Sequence, residues 1–110
     1  MPQNYLWLNT GDQSALSYSS GVPVECDCFD YLQFSFGWSN NTLVPAFTFE
    51  VEWFDIDGNH LYTDTYAPVG AGPTVISDTI NVRGYSCQIT FSGATGGSFS
   101  FWVFAKFINA

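Results

Sequence analysis

Residues 46–67 read AFTFEVEWFDIDGNHLYTDTYA, and this stretch decides the fold. From Phe47 to Trp53 every second residue is apolar (Phe47, Phe49, Val51, Trp53), with Thr48, Glu50 and Glu52 between them. A period of two sends the two sets to opposite faces of an extended chain, so 46–55 is a strand with one buried and one solvated face. Asp57-Gly58-Asn59 then supplies residues that tolerate the positive φ of a tight hairpin. The chain returns through 60–67 with Tyr62, Asp64 and Tyr66 opposing Leu61, Thr63 and Thr65.

The same period recurs on both sides. In 31–38 Leu32, Phe34, Phe36 and Trp38 share a face, and in 85–91 Tyr85, Cys87, Ile89 and Phe91 do. Further strands are expected over 74–82, 98–108, 5–8 and 15–19. Gly70-Ala71-Gly72-Pro73 and Gly93 to Gly97 read as loops, and Pro45 and Pro68 sit at strand ends, where a missing N–H is harmless. No segment keeps a helical period. Seven to eight short strands with turns about every ten residues predict an all-β antiparallel sandwich, jelly-roll or immunoglobulin-like. At 110 residues the chain is expected to form a single domain over 1–110.

The strand at 98–108 breaks the rule. Phe99, Phe101, Val103, Ala105 and Phe107 fill one face as a core strand should, but Trp102, Phe104 and Ile108 occupy the other. Either a loop or the N-terminal segment covers that second face, or it is a subunit interface built on Trp102, Phe104 and Ile108.

Composition narrows the function. Aromatic residues make up 19% of the chain (eleven Phe, six Tyr, four Trp), a surplus for one small core. Two basic residues, Arg83 and Lys106, stand against ten acidic ones, for a net charge of −8. Nucleic acid and anionic membranes both demand Lys and Arg, so neither is expected as a partner; a partner presenting basic groups is. The N-terminus lacks a basic region followed by an apolar run, so no export leader is expected and Met1 reads as a start residue. An odd three cysteines, Cys26, Cys28 and Cys87, argue for reduced thiols and assembly in a cytoplasm.

Candidate chemical sites each have a plainer reading. His60, the single histidine, would have to serve any Ser-His-Asp or Cys-His arrangement, yet it follows a turn where a polar residue is ordinary. Asp55, Asp57 and Asn59 have the alternate spacing of a calcium loop's opening ligands. The distal Glu of such a loop is missing, Tyr66 standing in its place, and a hairpin accounts for the same residues. Cys26 and Cys28, two apart, would share a face of an extended strand, but a zinc site would also need Cys87 and His60, and buried free thiols are the simpler state. Glu50 and Glu52 could act as a glycosidase pair, though they lie on the solvated face. Arg83 is expected to clamp a carboxylate within the fold. Among Trp7, Trp38, Trp53 and Trp102, which could stack on sugars, Trp38 and Trp53 belong to inward sets and Trp102 is left outside by alternation. No cofactor is expected.

Four pieces of the chain taken together carry a family resemblance: Val51-Glu52-Trp53-Phe54-Asp55-Ile56-Asp57-Gly58-Asn59, Thr63-Asp64-Thr65, Val82-Arg83-Gly84-Tyr85 and Ile89-Thr90-Phe91. The segment resembles small β-sandwich domains of tailed-bacteriophage virion proteins, among them capsid decoration proteins, minor tail proteins and fibre-associated modules. In those domains an aromatic-aspartate pair leads into a Gly-Asn hairpin, and a later Val-Arg-Gly-Tyr, often with Pro before the Tyr, precedes a strand. Here Gly84 runs directly into Tyr85, so the turn departs from the pattern. The resemblance covers a little over a third of the chain and brings no catalytic residues with it. It implies a non-enzymatic virion structural protein, made in the host cytoplasm: a capsid decoration protein that binds the major capsid protein or another virion protein, as a homo-oligomer, expected to be a trimer. The alternative is a tail or fibre module that binds host-surface carbohydrate.

Overall fold

The alternation at 48–54 does what its period requires. Phe49, Val51 and Trp53 are fully buried, and Thr48, Glu50 and Glu52 are half-buried on the opposite side of the strand. The computed structural model describes residues 4–14, 17–40, 48–66, 74–92 and 99–109. Ten strands follow one another: β1 (Asn4–Asn9), β2 (Gln13–Ser14), β3 (Tyr18–Ser19), β4 (Val24–Glu25), β5 (Tyr31–Asn40), β6 (Thr48–Phe54), β7 (His60–Tyr66), β8 (Thr74–Asn81), β9 (Ser86–Ser92) and β10 (Phe99–Ile108). No helix occurs among the described residues.

Two antiparallel sheets result. One runs β1-β10-β5-β8, with β2 following β1 along β10; the other runs β3-β9-β6-β7, with β4 following β3 along β9. Ten strands therefore fill eight positions, four in each sheet, which reconciles them with the seven to eight expected. Among the described residues β6 and β7 are the one pair of consecutive strands that are also neighbours. From β4 onward the chain otherwise crosses between sheets at every step. This is the order of a jelly roll rather than of an immunoglobulin sandwich.

Most expected strands appear with shifted ends. Ala46, Phe47 and Ala67 lie outside the described residues, as do the two glycine loops, Pro45 and Pro68. The segment 15–19 contributes only β3, since Ala15 and Leu16 are also outside. The short β4 had no signal in alternation. It holds Val24 opposite Cys87, and a turn at Asp27-Cys28 then ends the extended run. That turn separates the two cysteines, leaving Cys26 buried and Cys28 exposed.

Between the sheets the rings interlock. Phe36 lies 4.7 Å from Phe49, 5.2 Å from Phe91 and 6.1 Å from Phe101, centroid to centroid. Such offset and tilted contacts add to the area each ring buries. The β6–β7 hairpin closes as expected: Gly58 has φ 87°, its N–H donates to the Asp55 carbonyl at 3.0 Å, and the Asp55 N–H donates to the Asn59 carbonyl at 2.8 Å.

Candidate functional site

The outer face of the β1-β10-β5-β8 sheet follows from register. Trp102 of β10 pairs with Gly37 of β5, Phe104 with Ser35, Lys106 with Gln33 and Ile108 with Tyr31. Beyond β5 the same rows end in Val75, Ser77, Thr79 and Asn81 of β8; on the other flank stand Leu6 and Asn9 of β1. Paired residues in an antiparallel ladder point the same way, so all of these share one face. No strand position on it carries Asp or Glu, although the chain has ten carboxylates.

The opposite sheet turns a different surface outward. There Glu50 pairs with Thr65 and Thr90, and Glu52 with Thr63 and Gln88. One outer face sets Glu50 and Glu52 among threonine and glutamine, with Leu61 exposed at its edge; the other has Trp102, Phe104 and Ile108 along β10, interrupted by Lys106 and bordered by serine, threonine, asparagine and glutamine. The three residues expected to form an interface thus do come together. They are half-buried rather than fully exposed, because β1 and β2 flank β10 on one side and β5 on the other. Leu6 and Val75, at the margins, are 54% and 53% exposed.

Trp102 has a seat that sequence reading missed. A Cβ built on Gly37 would overlap the Trp102 indole, so the ring lies over the glycine backbone where any other residue would project. Glycine inside a strand commonly marks such an approach. Beside the ring opens a cleft of ≈ 200 Å³, lined by Asp12, Trp38, Ser39, Val75, Ser100, Phe101 and Trp102. Asp12 is an exposed turn residue that enters because β2 pairs Gln13 with Phe101, which brings its neighbour opposite Trp102.

The other candidates are scattered. Trp38 and Trp53 are core residues at 3% and 0% exposure, and Trp7 stacks on Phe107 at 5.3 Å. The His60 ring nitrogen Nε2 is 2.6 Å from the Thr63 hydroxyl. Asp55 is engaged by its own hairpin: Oδ1 accepts the backbone N–H groups of Asp57 and Asn59 at 2.9 and 2.8 Å, and Oδ2 accepts Asn59 Nδ2 at 3.2 Å. These bonds, the backbone N–H of Asn59 foremost, favour the charged form and lower the carboxyl's pKa. Asp57, in the same turn, is exposed. Among the described residues no three His, Cys, Asp or Glu side chains are grouped to hold a metal ion. The buried free Cys87 thiol is pushed well above its ordinary pKa, first by burial and then by its hydrogen bond with the Cys26 thiol.

Arg83 does clamp a carboxylate. Its Nε lies 3.3 Å from Asp64 Oδ2, its guanidinium sits 4.7 Å from the centre of the Tyr62 ring, and the same Asp64 oxygen accepts the buried Trp53 indole N–H at 2.8 Å. This network explains why an inward position of β7 is an aspartate.

No family model matches the chain, and no curated protein matches it in sequence. Solved structures do match. One is the enzymatically active domain of tailspike protein 4 of bacteriophage CBA120, with 21% identity and a TM-score of 0.58 over 88% of this chain and 13% of that one. Another is the T13 viral particle of infectious bursal disease virus, with 10% identity and a TM-score of 0.59 over 96% and 30%. A third is the CBM22-1 xylan-binding domain from Paenibacillus barcinonensis, with 14% identity and a TM-score of 0.52 over 86% and 64%. The likeness is one of fold. The chain spans under two thirds of each of these proteins.

Proposed function

We propose that this chain is a non-enzymatic virion structural protein, a capsid decoration protein that docks on the assembled shell through the outer face of the β1-β10-β5-β8 sheet. The observation that carries the reading is the asymmetry of the two outer faces. A chain with a net charge of −8 keeps every carboxylate off the strand positions of one sheet face and sets Trp102, Phe104 and Ile108 along its centre, where Lys106 is the one charged strand residue. Desolvating a carboxylate without a partner is costly, so an interface core sheds charge and gathers aromatic residues. The viral setting is supported by the resemblance over 51–91 and by a sandwich shared with phage tailspike and virus-particle chains. Assembly as a closed homotrimer, after synthesis in the host cytoplasm, belongs to the same reading.

Pelleting with assembled shells that lack the protein tests it. Wild type should sediment with the shells, and Phe104→Ser and Ile108→Ser, with unchanged circular dichroism, should stay in solution. Equal pelleting of all three would refute the reading.

A second reading, a tail or fibre module that binds host carbohydrate, draws on the Trp102 cleft and on the fold shared with a xylan-binding domain. A glycan panel separates the two, since a decoration protein should bind no sugar.

A further inference from the structure

We infer that the cleft at the Trp102 end of the docking face takes an arginine side chain of the partner protein. The inference rests on the docking reading and names what one end of that face recognises.

Three strands and the bend before β2 contribute to one row across the sheet: Asp12 in the bend, Trp102 on β10, Gly37 on β5 and Val75 on β8. Gly37 lets the indole lie against the sheet, and the adjoining row brings the Ser39 and Ser100 hydroxyls to the same cleft. The cleft thus combines an aromatic ring, a carboxylate and two hydroxyls.

A guanidinium matches that set. Its plane stacks on an indole while its edge donates to a carboxylate and to hydroxyl oxygens, a fork that lysine lacks. The chain already holds its one arginine this way, Arg83 lying over Tyr62 and against Asp64. The Trp102 cleft repeats the aromatic-carboxylate pair without a cation of its own. Among the described residues Arg83 is committed to Asp64, and Lys106 stands four residues along β10, about 13 Å away at ~3.3 Å per residue. A neutral sugar could stack on the same ring, but it would gain nothing from the Asp12 charge, whereas a guanidinium would, on a molecule whose net charge of −8 favours a basic partner.

The probe is N-acetyl-arginine methylamide, titrated into the intact protein while the Trp102 indole N–H is followed by NMR. The neutral citrulline counterpart and a panel of monosaccharides and xylo-oligosaccharides serve as comparison arms. The arginine probe should give a saturating shift, weakened roughly three- to fivefold in Asp12→Asn, as for an exposed ion pair, and weakened further by salt. Asp12 is exposed, so that variant keeps the fold. Citrulline or a sugar shifting the signal as strongly, or no arginine-dependent shift in wild type, would overturn the inference. Its failure is separable from failure of the docking reading. Shell pelleting that depends on Phe104 without guanidinium binding would sink the arginine site alone, and guanidinium binding without pelleting would sink the shell.

Discussion

Gly37→Ala probes how Trp102 is held. The added methyl group falls where the indole lies, and the three nearest atoms all belong to that ring. The indole is therefore the part that moves. A ring buries roughly 150–250 Å², so returning about a third of it to water costs about 1–2 kcal/mol at ~25 cal/mol per Å². Alanine recovers roughly 0.5–1 kcal/mol by restricting the unfolded chain. Urea denaturation should then show a net loss of about 1 kcal/mol, within the range for small-to-large changes. With Trp102→Ser as background the clash is gone and the sign reverses, Gly37→Ala now stabilising by about 0.5–1 kcal/mol. A double-mutant cycle reads the difference as coupling. If Gly37→Ala cost the same in both backgrounds, the seat would not exist.

Asp64→Ala should destabilise by about 1–3 kcal/mol in urea, because it strands the buried Trp53 N–H, the partly exposed Arg83 adding little; Asp64→Asn, which keeps an acceptor, should cost less. Tyr66 donates to Asp78 Oδ2 at 2.9 Å, and burial first, then that bond, raises its pKa above the ordinary 10.0. Its contribution is therefore complete below pH 10 and shrinks as the pH rises beyond it, so stability measured against pH should fall less steeply in the alkaline range for Tyr66→Phe than for wild type. A chromogenic disulfide reagent applied to the native protein should react quickly with Cys28 alone, since Cys26 and Cys87 are buried and burial holds the Cys87 thiol protonated; denaturant should release the other two.

What could be read in the sequence was local. Phe49, Val51 and Trp53 announce their faces through a period of two, and Asp57-Gly58-Asn59 announces a hairpin, because both signals need only a few neighbouring residues. The odd character of Trp102, Phe104 and Ile108 was visible for the same reason. The strand order was not, because every ladder except β6–β7 joins strands that are not consecutive, and their register is settled by packing. Hence Gly37 could be placed on the outer side of β5 but not under Trp102, and Asp12 had no visible link to either. Cys26 and Cys28 were placed on one face by assuming an extended chain, and a turn broke that assumption. Asp64, polar at an inward position, made sense only once Trp53 and Arg83 stood beside it.

Hydroxyl-radical footprinting of the protein on assembled shells, compared with the free protein, tests the docking face most directly. Trp102 and Phe104 should be oxidised in the free state and protected on the shell, while Leu61 and Tyr62, exposed on the opposite sheet, should react equally in both. Protection of Leu61 and Tyr62 with Trp102 and Phe104 unchanged would contradict docking through that face.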